Sequence, residues 1–309
     1  MAPVSLPDEV RAACAWVAAR ARRVRVDEER IGGYAEDLLR GRAELGGGPA
    51  PFADSEPETA AAFAICMNAI NFGSGWWPTI RRRPGRSGYA TIAAGVSERF
   101  DSTGPWSAAE LVEMAAGEIA AIVGQDPEHP LMAQFAAALR DVGARIGEGH
   151  GGRFRGPVEA AESVPALAGA FAAWSSFADS SLYDGREIPF CKRAQLAAAD
   201  LQRAGVAVLP GLGHLTAFAD NLVPHVLRVD GVLQLDPALK AGIEAEELLV
   251  HGSAEEVELR ACAVHAVELL ATAAGGQLMP AEIDGMLWNR GRGHRYKSVP
   301  RPRSRNTAY

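Results

Sequence analysis

Residues 253–276, SAEEVELRACAVHAVELLATAAGG, are the part of the sequence that most clearly specifies a secondary structure. Ser253 is a preferred N-cap residue, and Glu255 and Glu256 place negative charge in the first turn, where the helix dipole favours it. Leu and Ala, which have high helix propensity, fill the interior, and Gly275 and Gly276 follow as a C-terminal stop. We therefore predict one long helix over this stretch.

The same helical signals recur along the chain. Ser107 is followed three residues later by Glu110, which forms a capping box, and Ala-rich amphipathic stretches occur on both sides of it. Only residues 86–97, RSGYATIAAGVS, suggest a short hairpin, and no other strand pair is convincing. We predict an all-α, mainly helical fold in a single compact domain over residues 1–309.

The composition limits the possible classes of function. The chain has 309 residues, of which 48% are hydrophobic and 22% charged, as expected for a globular protein. Its formal net charge of −7 argues against a general polyanion binder, because non-specific affinity for DNA needs a basic surface. This charge is still compatible with a small anionic ligand that a few local cations hold.

Four cysteines are far apart and form no CxxC pair, and no secretory signal precedes them. We therefore expect a reduced, cytoplasmic setting in which each cysteine is a small buried hydrophobe. The longest apolar stretch, residues 60–72, is too short for a bilayer. The sequence also lacks the HExxH, P-loop and GxSxG patterns, and its histidines are dispersed, so we expect carboxylate chemistry without a metal or an organic cofactor.

Residues 209–228, LPGLGHLTAFADNLVPHVLR, carry the first signal of chemistry. We expect a tight glycine turn and then a helix broken near Pro224, which would offer backbone N–H groups to an anion. Asp220 lies among apolar neighbours, where a carboxylate is costly unless it is paired or used. Either Asp220 caps the helix, which is the commoner role of such an aspartate, or it is catalytic. The segment also loosely resembles the helix-hairpin-helix DNA glycosylases, in which LPG-G precedes a helix and a catalytic Asp.

Six phrases, in the same order along the chain, resemble the queuosine salvage family. TAFADNLVPHVL at 216–227 is similar to the family's FADYR-PQVL, with Asp220 retained, Asn221 in place of Tyr and His225 in place of Gln. IDGMLWNRG at 283–291 is similar to LDYYLWDY, with Gly285 in place of Tyr and Asn289 in place of Asp. The other phrases are AINFGSGWW at 69–77, PFCKRAQLAAADL at 189–201, ELRACAVHAVEL at 258–269 and VPRPRSRNTAY at 299–309.

The resemblance implies a helical glycosylase-like domain, with residues 1–60 as an N-terminal helical segment and residues 61–309 as the catalytic core. It implies an enzyme that hydrolyses the N-glycosidic bond of queuosine 5′-phosphate, releasing queuine and ribose 5-phosphate for salvage into tRNA modification. Asp220 would stabilise the oxocarbenium-like ribose and orient the attacking water. No cofactor is required by this reaction scheme.

The resemblance also supplies a set of substrate contacts. Queuine is a 7-deazaguanine and lacks N7, so its departure must be stabilised at O6, N3 or the Watson–Crick edge, while the phosphate needs cations and the flat base a stacking partner. The expected contacts are Asp284 and Asn289 at the base edge, Lys192 with Arg303 or Arg305 at the phosphate, Phe72, Trp76 or Phe218 for stacking, and Asn71 and Asp179.

Ordinary structural roles are open to the same residues. Lys192 has a basic neighbour and could belong to a solvated face, and Asp284 could be an exposed first-turn helix residue. Asp179 could cap a turn, Trp76 could be core, and Arg303 could belong to a frayed tail.

Two other functions are compatible with the sequence. One is a DNA base-excision glycosylase of helix-hairpin-helix type, against which the net charge argues, and the other is a non-catalytic queuine-binding protein. For the salvage enzyme we expect only the nucleotide substrate and queuine as partners, with no direct binding to nucleic acid and none to a membrane.

Overall fold

The computed structural model describes residues 4–45, 52 and 55–309, and helices dominate it, as predicted. In these residues the α-helices are α1 (Leu6–Ala18), α2 (Ile31–Leu45), α3 (Pro57–Ala69), α4 (Gly88–Thr103), α5 (Ala108–Val112), α6 (Ala116–Val123), α7 (Pro130–His150), α8 (Gly156–Glu159), α9 (Val164–Ala172), α10 (Lys192–Arg203), α11 (Leu222–Val229), α12 (Pro237–Glu244), α13 (Ala254–Ala273), α14 (Pro280–Arg290) and α15 (His294–Lys297).

Helix α13 is the centre of one half of the molecule and confirms the prediction for residues 253–276. The Ser253 hydroxyl accepts a hydrogen bond from the N–H of Glu256 at 3.4 Å. The chain leaves the helix through Gly275 and Gly276, which both have positive φ. Helices α1, α2, α11 and α14 pack around α13. Because so many elements surround it, even its charged residues Glu258 and Arg260 are buried.

The buried apolar side chains form two clusters, which we call the first core and the second core. The first core is built from α3, α7, α9 and α10, and the second core from α1, α2, α11, α13 and α14. Between α10 and α11 the chain passes along the boundary of the two cores, which we call the seam. There Leu215 and Phe218 point into the first core, and Ala217 and Ala219 into the second.

Four short strands form two antiparallel pairs that the sequence analysis did not predict. The pairs are β1 (Val24–Val26) with β4 (Leu233–Leu235), and β2 (Ser180–Tyr183) with β3 (Arg186–Pro189). The hairpin of β2 and β3 turns at Asp184 and Gly185, whose φ angles are 46° and 79°. Positive φ at both central residues is what a two-residue type I′ turn requires.

The hairpin predicted at residues 86–97 is wrong, because most of this stretch lies in α4. Ser87 is the N-cap, and its hydroxyl accepts a hydrogen bond from the N–H of Ala90 at 3.1 Å. Gly95 does not mark a strand, since it lets α4 approach α6: a Cβ at Gly95 would lie 2.5 Å from the Ile122 carbonyl oxygen. The glycine serves close helix packing.

Other predictions can be compared with the fold. All four cysteines are free and buried, as predicted. Helices α1 and α2 pack on α13, so described residues of the N-terminal segment belong to the second core. The division of the domain at residue 60 stays a prediction. Among the described residues, no helix combines the length and the apolar character that crossing a membrane would need.

Candidate active site

Three of the predicted site residues meet at the seam between the two cores. Lys192 is the first residue of α10 in the first core, and Asp284 lies in α14 in the second core. Asp220 follows the segment that runs along the seam. The charge of Asp220 acts on both Lys192 and Asp284, which also act on each other. We call these three side chains the Lys–Asp cluster.

Asp220 caps α11 with one of its two carboxylate oxygens. Its Oδ1 accepts hydrogen bonds from the N–H groups of Leu222 at 2.8 Å and Val223 at 3.1 Å. The capping interpretation is therefore correct for Oδ1, whereas Oδ2 accepts no hydrogen bond from the described residues. The side chain is partly exposed at the seam. The cap thus fixes the orientation of Asp220 and leaves one carboxylate oxygen available to a ligand.

The predicted turn and broken helix in residues 209–228 are wrong in two details. The chain makes a 3₁₀ turn at Leu212–His214 and then continues without regular secondary structure to Asp220, so no helix directly follows the glycine turn. Helix α11 begins at Leu222, and Pro224 lies in its first turn, where the missing N–H interrupts no helical hydrogen bond. Since Asp220 binds the first free N–H groups of α11, these groups are not offered to an anion.

Asp284 is a buried residue rather than an exposed residue of the first turn. Its exposed fraction is 6%, and its Oδ1 accepts a hydrogen bond from the N–H of Phe218 at 2.9 Å. Burial, assisted by the negative charge of Asp220, raises the pKa of Asp284 to about 8. At neutral pH Asp284 is therefore protonated, and its carboxyl O–H is a hydrogen-bond donor.

Lys192 is buried as well, so it does not belong to a solvated face. Its ammonium donates a hydrogen bond to the carbonyl oxygen of Asn71 at 3.2 Å. Burial lowers the pKa of Lys192, whereas the negative charge of Asp220 acts in the opposite direction. The Lys–Asp cluster thus places an amino group beside two carboxyl groups, and opposite charges side by side reduce the cost of a partly desolvated site.

A chain of polar side chains continues from Asn71 along the first core. The Asn71 amide donates to the amide oxygen of Asn68 at 3.4 Å, and the Asn68 amide donates to a carboxylate oxygen of Asp200 at 2.9 Å. Arg203 pairs with the other oxygen of Asp200 at 3.1 Å. The sequence analysis missed Asn68 and Asp200, although Asp200 stands near the end of the phrase PFCKRAQLAAADL.

An aromatic pair joins the two sides of the seam. The rings of Tyr89, which packs on the first core, and Trp288, which packs on the second, meet edge to face with centroids 6.2 Å apart. Both side chains keep intermediate exposure. Trp288 is one helical turn after Asp284, so its indole is a flat surface near the protonated carboxyl. Neither residue was predicted, and Trp288 is the Trp of the phrase IDGMLWNRG.

The three aromatic residues predicted to stack on the base are all buried. Phe72 packs edge to face on Phe135 at 5.1 Å, and Trp76 belongs to the same first core. Phe218 is the one of the three whose backbone is bonded to the Lys–Asp cluster, through Asp284. The core reading of Trp76 is therefore correct, and stacking by Phe218 stays a prediction.

Asp179 and Arg260 form a buried pair next to the Lys–Asp cluster. Both its carboxylate oxygens accept hydrogen bonds from Nη2 of Arg260, at 2.9 Å and 2.7 Å, and one of them also accepts from the N–H of Lys192 at 3.1 Å. Arg260 donates in addition to the carbonyl oxygen of Ala219 at 3.0 Å. This buried pair therefore fixes the residue before Asp220 and the start of α10.

The C-terminal tail is packed on the protein rather than frayed. Arg303 donates to the backbone oxygen of Glu246 at 3.2 Å, and its own carbonyl oxygen accepts from the N–H of Leu249 at 2.8 Å. Arg305 is exposed, and its charge acts on His129. Asn289 is half-buried near the end of α14 and interacts with other residues. Arg303 thus has its partner on the surface, in Glu246.

No group of three or more His, Cys, Asp or Glu side chains within the described ranges is arranged to hold a metal ion. The titratable groups at the seam are carboxyl, ammonium and phenol groups, which can move protons and stabilise charge.

Comparison with known proteins agrees with this chemistry. The family model described as queuosine salvage protein matches residues 51–309. A protein of Sphaerobacter thermophilus is 33% identical over 265 residues, which is 82% of each chain, and one of Dictyostelium discoideum is 26% identical over the whole of both chains. A mouse protein is 29% identical over 72% of each chain. All three relatives carry the name queuosine 5′-phosphate N-glycosylase/hydrolase.

Proposed function

Since the chain belongs to the queuosine salvage protein family, we propose that it hydrolyses the N-glycosidic bond of queuosine 5′-phosphate and releases queuine and ribose 5-phosphate. The observation that carries this proposal is the Lys–Asp cluster at the seam. There Asp220 and Asp284 lie in one site with different environments, and burial raises the pKa of Asp284 to about 8. Two carboxyl groups in unlike environments are the usual means of acid and base chemistry at a glycosidic carbon.

Asp220 acts at the sugar. When the bond between C1′ and the base nitrogen breaks, the electron pair leaves with the base and positive charge develops on the ribose. Oδ2 of Asp220, the carboxylate oxygen that does not cap α11, stabilises this charge and accepts a proton from the attacking water. The water oxygen then bonds to C1′, which gives ribose 5-phosphate. The α11 cap keeps the carboxylate in one orientation throughout.

Asp284 acts at the base. The departing 7-deazaguanine carries negative charge that N7 cannot take up, because position 7 is carbon. The protonated carboxyl of Asp284 donates to O6 or N3 and is the source of the proton that the base acquires. Trp288 offers the base a flat apolar surface beside this carboxyl. Exchange with solvent restores both carboxyl groups after release of the products.

Lys192 supplies positive charge beside the two carboxyl groups. Its ammonium lies among Asp220, Asp284 and the Asn71 carbonyl, so its surroundings favour this role over the phosphate contact that the family resemblance implied. A positive charge here offsets the cost of placing the Asp220 carboxylate in a partly buried site. The base edge is the place we assign to Asn289, which follows Asp284 on α14.

The direct test is incubation of the purified protein with queuosine 5′-phosphate and detection of free queuine and ribose 5-phosphate by mass. Equal molar release of both products by the wild type, with no release by heat-unfolded protein, supports hydrolysis. Tight binding of queuine without release of ribose 5-phosphate would instead indicate a binding protein. A duplex DNA substrate in parallel tests the base-excision alternative, against which the net charge of −7 argues.

The partners of this reaction are small molecules. We propose queuosine 5′-phosphate and queuine as the ligands, with no direct contact to nucleic acid, and a cytoplasmic setting for the enzyme. The setting is supported by four buried cysteines that remain unpaired, as in reducing compartments.

A further inference from the structure

A second cation, Arg301, lies beside Asp220 in the structure, and the proposed reaction gives it no role. Arg301 is in the C-terminal tail, and the charge of Asp220 acts on its guanidinium. The side chain is partly exposed, although protein surrounds it closely enough that burial is the largest influence on its pKa and lowers it. Arg301 is therefore partly enclosed by protein and still reachable by water.

The backbone on both sides of Arg301 is fixed to the element that carries Asp220. The carbonyl oxygen of Pro300 accepts a hydrogen bond from Arg228 at 2.6 Å, and that of Pro302 accepts one from the Asn221 amide at 2.9 Å. Asn221 is the residue after Asp220, and it is buried. Two prolines also restrict the local backbone. Arg301 is therefore held in place next to Asp220 before any ligand binds.

The donors of Arg301 are not engaged by the protein. In the part of the chain that the structure describes, its guanidinium forms no hydrogen bond and no ion pair. The positive charges of Arg303 and Arg82 lie near it and lower its pKa. Arg303 by contrast is bonded to Glu246. A guanidinium has five N–H donors in a planar fork, and an enclosed one without an acceptor is costly. The combination of three arginines and free donors fits an anion with several oxygens.

We propose that Arg301 binds the 5′-phosphate of the substrate, with Asn221 as the residue that positions it. This inference rests on the proposed function and adds to it the group that distinguishes the nucleotide from the nucleoside. Asp220 must lie at C1′ for the reaction, and the 5′-phosphate of the same ribose lies a few bonds away. When the substrate is oriented with C1′ at Asp220, its phosphate therefore lies near a cation adjacent to Asp220. A guanidinium can bind two phosphate oxygens at once.

The test measures ligand binding separately from turnover. Arg301→Ala is expected to weaken binding of ribose 5-phosphate by about ten- to a hundredfold, the value of one or two charge-assisted hydrogen bonds, and to leave queuine binding within about threefold. Its kcat/KM for queuosine 5′-phosphate should fall by a similar factor. Arg301→Lys should recover part of the loss, because it keeps the charge without the fork. Arg40→Ala, an exposed arginine of α2, is the surface control.

Asn221→Ala examines the positioning role. It removes the hydrogen bond to Pro302 and leaves Arg301 in the chain, so binding of ribose 5-phosphate should weaken by a smaller factor than in Arg301→Ala. Circular dichroism and thermal melting confirm that each variant is folded.

The outcomes separate this inference from the proposed function. Unchanged binding of ribose 5-phosphate by folded Arg301→Ala would overturn the inference, and so would equal loss for ribose 5-phosphate and queuine. A larger loss in Arg303→Ala than in Arg301→Ala would move the phosphate to Arg303. A wild-type protein that binds ribose 5-phosphate through Arg301 but releases no queuine would leave the inference standing and contradict the proposed reaction.

Discussion

Replacing Asp220 by Asn separates the helix cap that the structure shows from the catalytic role that we propose. The substitution keeps size and shape and removes the negative charge. An Asn side-chain oxygen can accept the same hydrogen bonds from Leu222 and Val223, because Asn and Asp are equally good helix caps. What it cannot do is stabilise positive charge on the ribose or accept a proton from water.

The expected magnitudes for stability and rate differ strongly. Loss of the favourable charge at the start of α11 costs about 0.3–1 kcal/mol of folding free energy, and the lost attraction between Asp220 and Lys192 adds to this cost. The rate should fall by at least about a hundredfold, which is ~2.7 kcal/mol in the activation free energy. Because the lost interaction is made mainly in the transition state, kcat should fall far more than the affinity for substrate.

The assay compares single-turnover release of queuine with thermal unfolding, using Asp236→Asn as a matched control. Asp236 caps α12 in the same way, with Oδ1 accepting from Ala238 at 3.0 Å and Leu239 at 3.4 Å, and it belongs to no site described here. Both variants should shift the melting temperature by similar small amounts. Only Asp220→Asn should lose turnover.

Near-wild-type turnover of folded Asp220→Asn would refute the catalytic role and leave Asp220 as a helix cap. A hundredfold loss in Asp236→Asn as well would show that the assay reports on helix stability instead of chemistry.

Three further predictions concern the cluster and its support. Above about pH 8 kcat/KM should fall, because Asp284 loses its proton as the pH rises through its raised pKa. Asp284→Asn should abolish this fall in the pH profile. A fall that persists in the variant would belong to another group. Lys192→Met should lower kcat/KM for both nucleotide and nucleoside, whereas a loss confined to the nucleotide would place Lys192 at the phosphate. Arg260→Met should reduce the free energy of unfolding in urea by about 3–5 kcal/mol, since Asp179 is left buried and unpaired, and an unchanged transition would contradict this.

Local sequence signals predicted the helices because caps and propensity act over a few residues. The capping box at Ser107 and Glu110 forms as predicted, with the Glu110 carboxylate accepting from the N–H of Ser107 at 2.7 Å. The hairpin prediction failed because glycine has more than one use: Gly95 serves helix packing. The hairpin of β2 and β3 also has a local signal, the Asp-Gly pair at Asp184 and Gly185. Its two strands are so short that the sequence pattern within them is weak.

The sequence supplied candidate site residues but not their environment. The family resemblance singled out Asp220, Lys192 and Asp284, and the structure brings them together. Their burial and the protonated state of Asp284 depend on packing between the two cores, which no local pattern encodes. Arg301 lies within the phrase VPRPRSRNTAY but was not among the predicted site residues, because its significance arises from the hydrogen bonds that hold its neighbours beside Asn221.

Asp179 and Asp220 show why a site must be judged by the partners of each oxygen. Both aspartates were predicted from the same resemblance, and both bind backbone N–H groups. Arg260 engages both oxygens of Asp179, so this buried carboxylate is paired inside the protein. One oxygen of Asp220 is engaged by two N–H groups, and the described residues donate no hydrogen bond to the other. We therefore assign Asp179 to the scaffold and propose that Asp220 faces the substrate, because the partners of their carboxylate oxygens differ.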